Sequence, residues 1–195
     1  MSNQLDLVFK KLKKEKKKAL IAYLAAGYPR FGEETKLIRT LIKSGVSVLE
    51  LGIPFSDFIA DGPTIQFASQ KSLEGGTTVV KILDWVRKSK FSDSIPLVFM
   101  SYLNPILAYG LDKFSNEAAR AGVSGIIIPD LIPEESREIE DALRKNNIYL
   151  ICLLAPTTPR SRQIGIAKKT KGFLYAVSVA GVTGARKKFT PKTVA

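Results

Sequence analysis

Residues 48–66 read VLELGIPFSDFIADGPTIQ and contain the unit from which the rest of the chain is built. The opening residues form an apolar run interrupted only by Glu50, and such runs are typical of parallel β-strands that are buried on both faces. A loop rich in Pro, Ser, Asp and Gly follows, and a helical pattern begins at Ile65. A strand, a loop and a helix in this order predict one unit of an α/β fold.

The same alternation recurs on both sides of this unit. Apolar runs of strand length lie at residues 19–25, 47–51, 96–101, 125–129, 149–154 and 172–177. Helical segments lie at residues 33–44, 65–73, 79–89, 112–121, 133–145 and 161–169. Strands and helices in alternation predict a parallel sheet with right-handed crossovers, either a doubly wound sheet or a (β/α)8 barrel.

The spacing of the units favours the barrel. A (β/α)8 barrel of ~250 residues has roughly 31 residues per unit, so the present length holds about six units. The glycine pattern of dinucleotide-binding folds is missing after the first strand, where residues 25–29 read AAGYP. We therefore expect an α/β fold of the TIM (β/α)8-barrel type that is incomplete, with about six βα units, preceded by an N-terminal helix.

We expect the whole chain, residues 1–195, to form a single truncated barrel domain. Residues 1–18 are predicted to form a basic amphipathic helix, residues 19–186 the six βα units, and residues 187–195 a tail outside this pattern.

The composition limits the classes of function. The chain is 45% hydrophobic and 25% charged, which is ordinary for a globular protein, and no apolar run approaches the ~18–20 residues that cross a bilayer. Cys152 is the single cysteine, and the N-terminus has no secretion signal, so we expect a cytoplasmic location. The chain has no histidine, which excludes His-based triads and His zinc sites. Proton transfer therefore falls to carboxylates, lysines, tyrosines or the thiol.

The net charge of +12 is concentrated in the two terminal segments. In the first segment Leu5, Val8, Phe9 and Leu12 follow the spacing of one helical face, and lysines fill the other face. This helix could bind a membrane surface or a partner, but we favour a helix that covers the core with its lysines in water. Because no RNA-binding motif or recognition helix accompanies the basic residues, we expect neither nucleic-acid nor membrane binding.

Glu50 is a carboxylate inside a predicted strand, where glutamate is disfavoured. It shares a strand face with Val48, opposite to Leu49 and Leu51. Burial of an unpaired carboxylate raises its pKa by up to ~3–5 units, which would create a general acid or base near neutral pH. A glutamate turned to solvent, or paired with a lysine, remains an equal alternative from this residue alone.

The loop at residues 54–61 follows that strand, at the end where active sites of barrels lie. It offers Asp57 and Asp61. The Asp61-Gly62-Pro63 sequence is also ordinary in turns, and Asp57 could simply bond to nearby backbone groups.

Several long motifs resemble one enzyme family. LELGIPFSDFIADGPTIQ at 49–66, AYLAAGYP at 22–29 and YAVSVAGVTGAR at 175–186 are similar to the tryptophan synthase alpha subunit. The similarity runs from about residue 18 to residue 186 and includes SYLNP at 101–105. The resemblance implies a (β/α)8 barrel and a lyase of tryptophan biosynthesis. This enzyme cleaves indole-3-glycerol phosphate to indole and glyceraldehyde 3-phosphate by a retro-aldol reaction.

The resemblance also implies roles for individual residues. Glu50 matches the glutamate that moves protons during cleavage, and Asp61 matches the aspartate that accepts the indole N–H and stabilises positive charge on the ring. Tyr175 matches a tyrosine near the substrate. Thr183 matches a threonine that bonds the aspartate when the site closes, and Gly184 follows it in a glycine-flanked loop suited to a lid.

Three further residues, Tyr23, Met100 and Ile127, match the apolar wall around the indole ring, although core packing explains them equally well. The resemblance implies that no metal or organic cofactor is needed. It also implies a partner, the tryptophan synthase beta subunit, in an alpha–beta–beta–alpha assembly.

Two features depart from the family pattern. Phe58 stands where proline is usual, which affects the stiffness of its loop. Residues 187–195, KKFTPKTVA, do not match the phosphate-binding strands seven and eight, so we expect this 195-residue form to be impaired in turnover by itself. The alternative is a non-catalytic remnant or interaction module, binding a beta-type partner through the 54–61 loop and Asn104, or polyanions through the basic ends.

Overall fold

The computed structural model describes residues 2–57 and 59–177. The helices in these ranges are α1 (Gln4–Lys14), α2 (Glu34–Lys43), α3 (Pro63–Glu74), α4 (Val79–Ser89), α5 (Leu103–Tyr109), α6 (Leu111–Arg120), α7 (Arg137–Lys145) and α8 (Arg160–Lys169). The strands are β1 (Ile21–Ala25), β2 (Val48–Gly52), β3 (Leu97–Met100), β4 (Val123–Ile127), β5 (Tyr149–Ile151), β6 (Leu153–Leu154) and β7 (Tyr175–Ala176). Short 3₁₀ helices lie at Phe91–Asp93 and Pro133–Glu135.

The described strands form two parallel sheets, and the larger one follows chain order. β1 to β5 pair successively, and β6 pairs with β7, also in parallel. Parallel strands that follow chain order, with helices between them, are the arrangement of a (β/α)8 barrel. The predicted α/β fold of incomplete barrel type is therefore confirmed.

The fifth strand, predicted at residues 149–154, is divided at Cys152. The Cys152 N–H donates to Thr170 Oγ1 at 3.1 Å, and its carbonyl accepts from Tyr175 N–H at 3.1 Å. The strand therefore changes neighbours at this residue, from β4 to β7. β5 and β6 are two parts of one predicted element.

Other boundaries differ for local reasons. The fourth strand lies at Val123–Ile127 rather than 125–129, because the prediction followed the apolar run that continues beyond the strand end. The helix predicted at 133–145 begins with the 3₁₀ turn, and α7 itself starts at Arg137.

Helix α5 is not predicted by the sequence pattern. It makes a second helix between β3 and β4, so the alternation of strands and helices is not strict. Its Pro105 is tolerated because N–H groups of a first helical turn have no intrahelical partner.

The strands separate two apolar layers. One face of the sheet, including Leu49, Leu51 and Phe99, packs against the surrounding helices. The other face forms the barrel interior, a smaller cluster of Leu5, Val48, Val98, Ile127 and Ile151. Because side chains alternate along a strand, Glu50 faces the interior together with Val48.

Helix α1 closes one end of this interior. Leu5 is 0% exposed, and Val8 and Phe9 pack beside it, while the lysines of the opposite face are exposed. The Asn3 side-chain amide donates to the carbonyl oxygens of Ser124 and Asn147, both at 2.8 Å. The prediction that the apolar face covers the core is confirmed. In the part of the chain that the structure describes, no helix combines the length and apolar character needed to cross a membrane.

We predict that Leu5→Ala lowers the free energy of unfolding by about 2–5 kcal/mol, because it leaves a cavity between α1 and the strands. Leu7→Ala is the matched control on the same helix, since Leu7 is 55% exposed, and it should change stability by less than about 0.5 kcal/mol. Urea unfolding followed by circular dichroism measures both. Equal effects of the two substitutions would show that α1 does not close the core.

Candidate functional site

Strand β2 places Glu50 in the barrel interior. All five residues of the strand are buried, and Glu50 is 3% exposed. The structure gives it no hydrogen bond or ion pair with another described residue. Burial therefore acts alone and raises the pKa of Glu50 from 4.5 to about 7. A carboxyl group with this pKa populates both its acid and its base form near neutral pH, so it can donate and accept protons.

Asp61 lies after β2, at the end of the loop that leads into α3. It is 8% exposed, and the Tyr102 hydroxyl donates to its Oδ2 at 3.0 Å. Its main-chain oxygen accepts from Gln66 Nε2 at 2.8 Å. Burial raises the pKa of the Asp61 carboxyl, and the Tyr102 hydrogen bond opposes this by stabilising the ionised form.

Asp61 and Tyr102 line a small cavity at the carboxyl ends of the strands. Gly52 and Met100, the last residues of β2 and β3, lie on its wall. The other lining residues are Tyr23, Ile53, Phe55, Ser69, Ser101 and Pro129. This is the end of a barrel where active sites are found.

Tyr23 is affected by the charges of both carboxyl groups. It is the direct cross-strand partner of Glu50, and it lines the cavity that holds Asp61. Burial, and then the negative charges of Asp61 and Glu50, raise the pKa of the Tyr23 hydroxyl far above its ordinary value. The hydroxyl oxygen lies over Gly52, where a Cβ atom would come within 2.1 Å of it. Any larger residue at position 52 would therefore require the Tyr23 side chain to shift.

The remaining predicted residues fall into three groups. Tyr175 is half-buried at the start of β7, and burial together with the charge of Glu50 raises the pKa of its hydroxyl. Met100 lines the cavity, but its cross-strand partner Ile127 is fully buried in the interior cluster and is not a lining residue. Thr183 and Gly184 lie outside the described residues, as does Phe58, whose expected effect on its loop therefore stays a prediction.

Sequence reasoning gave no role to Tyr102, which lies at the start of α5. Besides its bond to Asp61, the Tyr102 hydroxyl accepts from the Ala60 N–H at 3.0 Å, and its ring packs against Phe55. The available signal was its place in the chain, two residues after a barrel strand. Asp57, in contrast, is exposed and accepts from the neighbouring Ser56 hydroxyl at 2.7 Å, as in an ordinary turn.

The site is suited to proton transfer. Within residues 2–57 and 59–177, no group of three or more acidic, Cys or His side chains converges to hold a metal ion. The site instead has a carboxyl group that titrates near pH 7, a second carboxylate with a hydroxyl donor, and two further phenols. Such a pair can protonate a substrate at one position and stabilise a positive charge at another.

The chain is similar to proteins of one family. The family model for the tryptophan synthase alpha chain matches residues 9–194. The tryptophan synthase alpha chain of Geobacter sulfurreducens is 45% identical over 178 residues, 91% of this chain and 67% of the relative. That of Caldanaerobacter subterraneus is 45% identical over 188 residues, 96% of this chain and 71% of the relative. The chain thus spans about two thirds of the length of these relatives.

Solved structures agree with this similarity. The crystal structure of the tryptophan synthase alpha chain from Legionella pneumophila has a TM-score of 0.86 and 41% identity, and the match covers 92% of this chain and 68% of that one. A structure of Mycobacterium tuberculosis tryptophan synthase has a TM-score of 0.90 and 36% identity, over 100% of this chain and 75% of that one.

The raised pKa of Glu50 predicts that stability depends on pH. Between the ordinary pKa of 4.5 and the folded value of about 7, the folded state binds more protons than the unfolded state. The contribution of Glu50 to the free energy of unfolding is therefore complete below pH 4.5 and is lost as the pH rises through 7. Relative to Glu50→Gln, the wild-type chain should lose roughly 2–3 kcal/mol of unfolding free energy between pH 5 and pH 8.

Urea unfolding of both proteins at the two pH values measures this difference. Glu138→Gln, at an exposed position on α7, is the control and should follow the wild type at both pH values. Parallel pH dependence of the wild type and Glu50→Gln would mean that Glu50 titrates normally in the folded protein.

Proposed function

The chain belongs to the tryptophan synthase alpha chain family, a family of lyases of tryptophan biosynthesis, and on this premise we propose which of its residues cleave indole-3-glycerol phosphate. Glu50 moves the protons, and Asp61 stabilises the charge that develops on the indole ring. The observation that carries this proposal is the buried carboxyl group of Glu50, which has a pKa of about 7 and no hydrogen bond or ion pair with another described residue. Its cross-strand partner Tyr23 lines the cavity that holds the second carboxylate, Asp61.

Cleavage needs one proton to be added and one removed. The acid form of Glu50 donates a proton to the ring carbon that carries the glycerol chain, and the ring becomes positively charged. The base form then takes the proton of the adjacent hydroxyl, the carbon–carbon bond breaks, and its electron pair returns to the ring. The products are indole and glyceraldehyde 3-phosphate. A pKa near 7 suits both steps, because neither form of the carboxyl is rare at neutral pH.

Asp61 acts at the nitrogen of the ring. Its carboxylate accepts the indole N–H, and it stabilises the positive charge that the ring acquires on protonation. The hydrogen bond from Tyr102 favours the ionised form that this role needs. Thus burial keeps Glu50 near its titration point, while the Tyr102 hydrogen bond opposes the effect of burial on Asp61.

The other site residues shape the substrate pocket. We propose Tyr23 and Met100 as its apolar wall, with Ile127 packed beside Met100, and Tyr175 as a hydroxyl near Glu50. Thr183 and Gly184 are proposed as the lid that bonds Asp61 when the substrate is enclosed. Water exclusion by such a lid would strengthen each electrostatic contact in the pocket.

We propose that the chain binds a tryptophan synthase beta subunit, the partner of this family. The surface proposed for it comprises the loop at residues 54–61 and the start of α5. Ile59 in this loop is 71% exposed, and Asn104 is also exposed. A large apolar side chain on an exposed loop is typical of an interface residue.

A cytoplasmic location is proposed because the one cysteine, Cys152, is a free and buried thiol. The alternative of a non-catalytic interaction module has no comparable support. A module has no need of a desolvated carboxyl group at position 50, which is unfavourable for folding at neutral pH.

We predict that Glu50→Gln and Asp61→Asn each lower the rate of indole formation from indole-3-glycerol phosphate by at least about 100-fold. Both substitutions keep the size of the side chain. Glu50→Gln removes the group that transfers protons, and Asp61→Asn removes the negative charge. Glu138→Gln and Asp141→Asn, on the outer surface of α7, are matched controls and should keep wild-type rates. Unchanged activity in Glu50→Gln, with unchanged partner binding, would support the interaction module instead.

The expected impairment of the 195-residue chain stays a prediction. The purified chain should release indole much more slowly than the Geobacter sulfurreducens relative when both are incubated with the substrate at equal concentration. Prolonged incubation and detection of indole by chromatography measure the two rates. A rate equal to that of the relative would overturn the expectation without affecting the roles proposed for Glu50 and Asp61.

A further inference from the structure

Asp130 lies outside the cavity, yet it is bonded to the segment that holds Tyr102 in place. It follows β4 and Pro129, and its side chain is exposed. Both carboxylate oxygens accept from the Leu103 N–H, at 3.0 and 3.2 Å. The bond therefore joins the loop after β4 to the first residue of α5.

This bond supplies a hydrogen-bond acceptor for the first N–H group of α5. The first N–H groups of a helix have no intrahelical acceptor, and the residue before the helix, Tyr102, has no side-chain oxygen close enough to its own backbone to serve. Its side chain instead extends into the cavity, toward Asp61. The carboxylate of Asp130 takes the place of a local cap, and its charge suits the positive end of the helix.

Together with a second hydrogen bond, the Asp130 bond holds the peptide group between Tyr102 and Leu103 at both its N–H and its carbonyl. Leu103 N–H belongs to the same planar peptide as the Tyr102 carbonyl, and this carbonyl accepts from the Ser101 hydroxyl at 2.9 Å. Ser101 is itself tied to β4, since its N–H donates to the Ile127 carbonyl at 3.0 Å. With the carbonyl and the N–H both held, the peptide that follows Tyr102 has one orientation, and the backbone from which the Tyr102 side chain extends is restricted with it.

We propose that Asp130 is a positioning residue for the cleavage reaction, which holds the Tyr102–Leu103 peptide so that the Tyr102 hydroxyl stays on the Asp61 carboxylate. This inference rests on the proposed function for its catalytic consequence. The structural link itself does not depend on that function. It predicts that an exposed carboxylate in the loop after β4 controls the ionisation of a buried carboxylate in the loop after β2.

The test is a carbon-13 NMR titration of the Asp61 carboxyl in chain labelled at aspartate, assigned with Asp61→Asn. Besides Tyr102, the ionisable side chain that interacts with Asp61 among the described residues is Tyr23, which stays protonated throughout the titration. Tyr102→Phe removes the hydrogen bond and should raise the Asp61 midpoint by about one pH unit. Asp130→Ala should raise it in the same direction, by roughly 0.3 to 1 unit.

Three further variants make the result specific. Asp130→Asn keeps an acceptor oxygen and should titrate as the wild type. Asp112→Ala, at another exposed aspartate, should do the same. Leu103→Pro deletes the donor instead of the acceptor, at the first helical position where proline is tolerated, so it tests the same bond if Asp130→Ala does not fold.

The double variant Asp130→Ala/Tyr102→Phe should titrate like Tyr102→Phe alone, because Asp130 acts through Tyr102. Additive shifts, or an unchanged midpoint in both Asp130→Ala and Leu103→Pro, would overturn the proposal. The titration needs no substrate, so its outcome is independent of turnover. If the midpoints move as expected but Glu50→Gln leaves indole formation unchanged, the proposed function fails and the link remains.

Discussion

The desolvation of one carboxyl group is the constraint on which the site depends. Side chains alternate along β2, so the strand that gives Leu49 and Leu51 to the helix layer must turn Glu50 into the barrel interior. No described side chain compensates the charge there, and the pKa of Glu50 consequently rises to about 7. The fold thus produces a proton carrier for neutral pH in a chain without histidine.

Among the residues that the structure describes, hydroxyl groups rather than cations lie near the two carboxyls. Tyr23 and Tyr175 lie near Glu50, and Tyr102 donates to Asp61. A nearby lysine or arginine would hold a carboxylate permanently ionised, whereas a phenol can donate to it without fixing its charge. The arrangement leaves the protonation of Glu50 responsive to the substrate, and the Tyr102 hydrogen bond partly offsets the effect of burial on the Asp61 carboxyl.

The features of the structure that follow from a regular sequence pattern could be predicted. Strands and helices alternate with regular spacing, and the burial of Glu50 follows from the period of its strand. Other features depend on contacts between distant segments. The division of the fifth strand at Cys152 needs Thr170 and Tyr175, and the bond of Tyr102 to Asp61 joins two loops across 41 positions. The residues next to each partner in the sequence do not indicate either contact. Neither contact could therefore be predicted from the sequence pattern.

Helix α1 has a consequence for the order of assembly. Its contacts reach far along the chain: Asn3 bonds the Asn147 carbonyl, and the Asp6 carboxylate accepts from the Tyr149 hydroxyl, 143 positions away. During synthesis α1 therefore emerges well before its docking surface, which includes β5, has been made. Until then its apolar stripe stays in water beside many lysines, whose mutual repulsion disfavours self-association of the nascent chain.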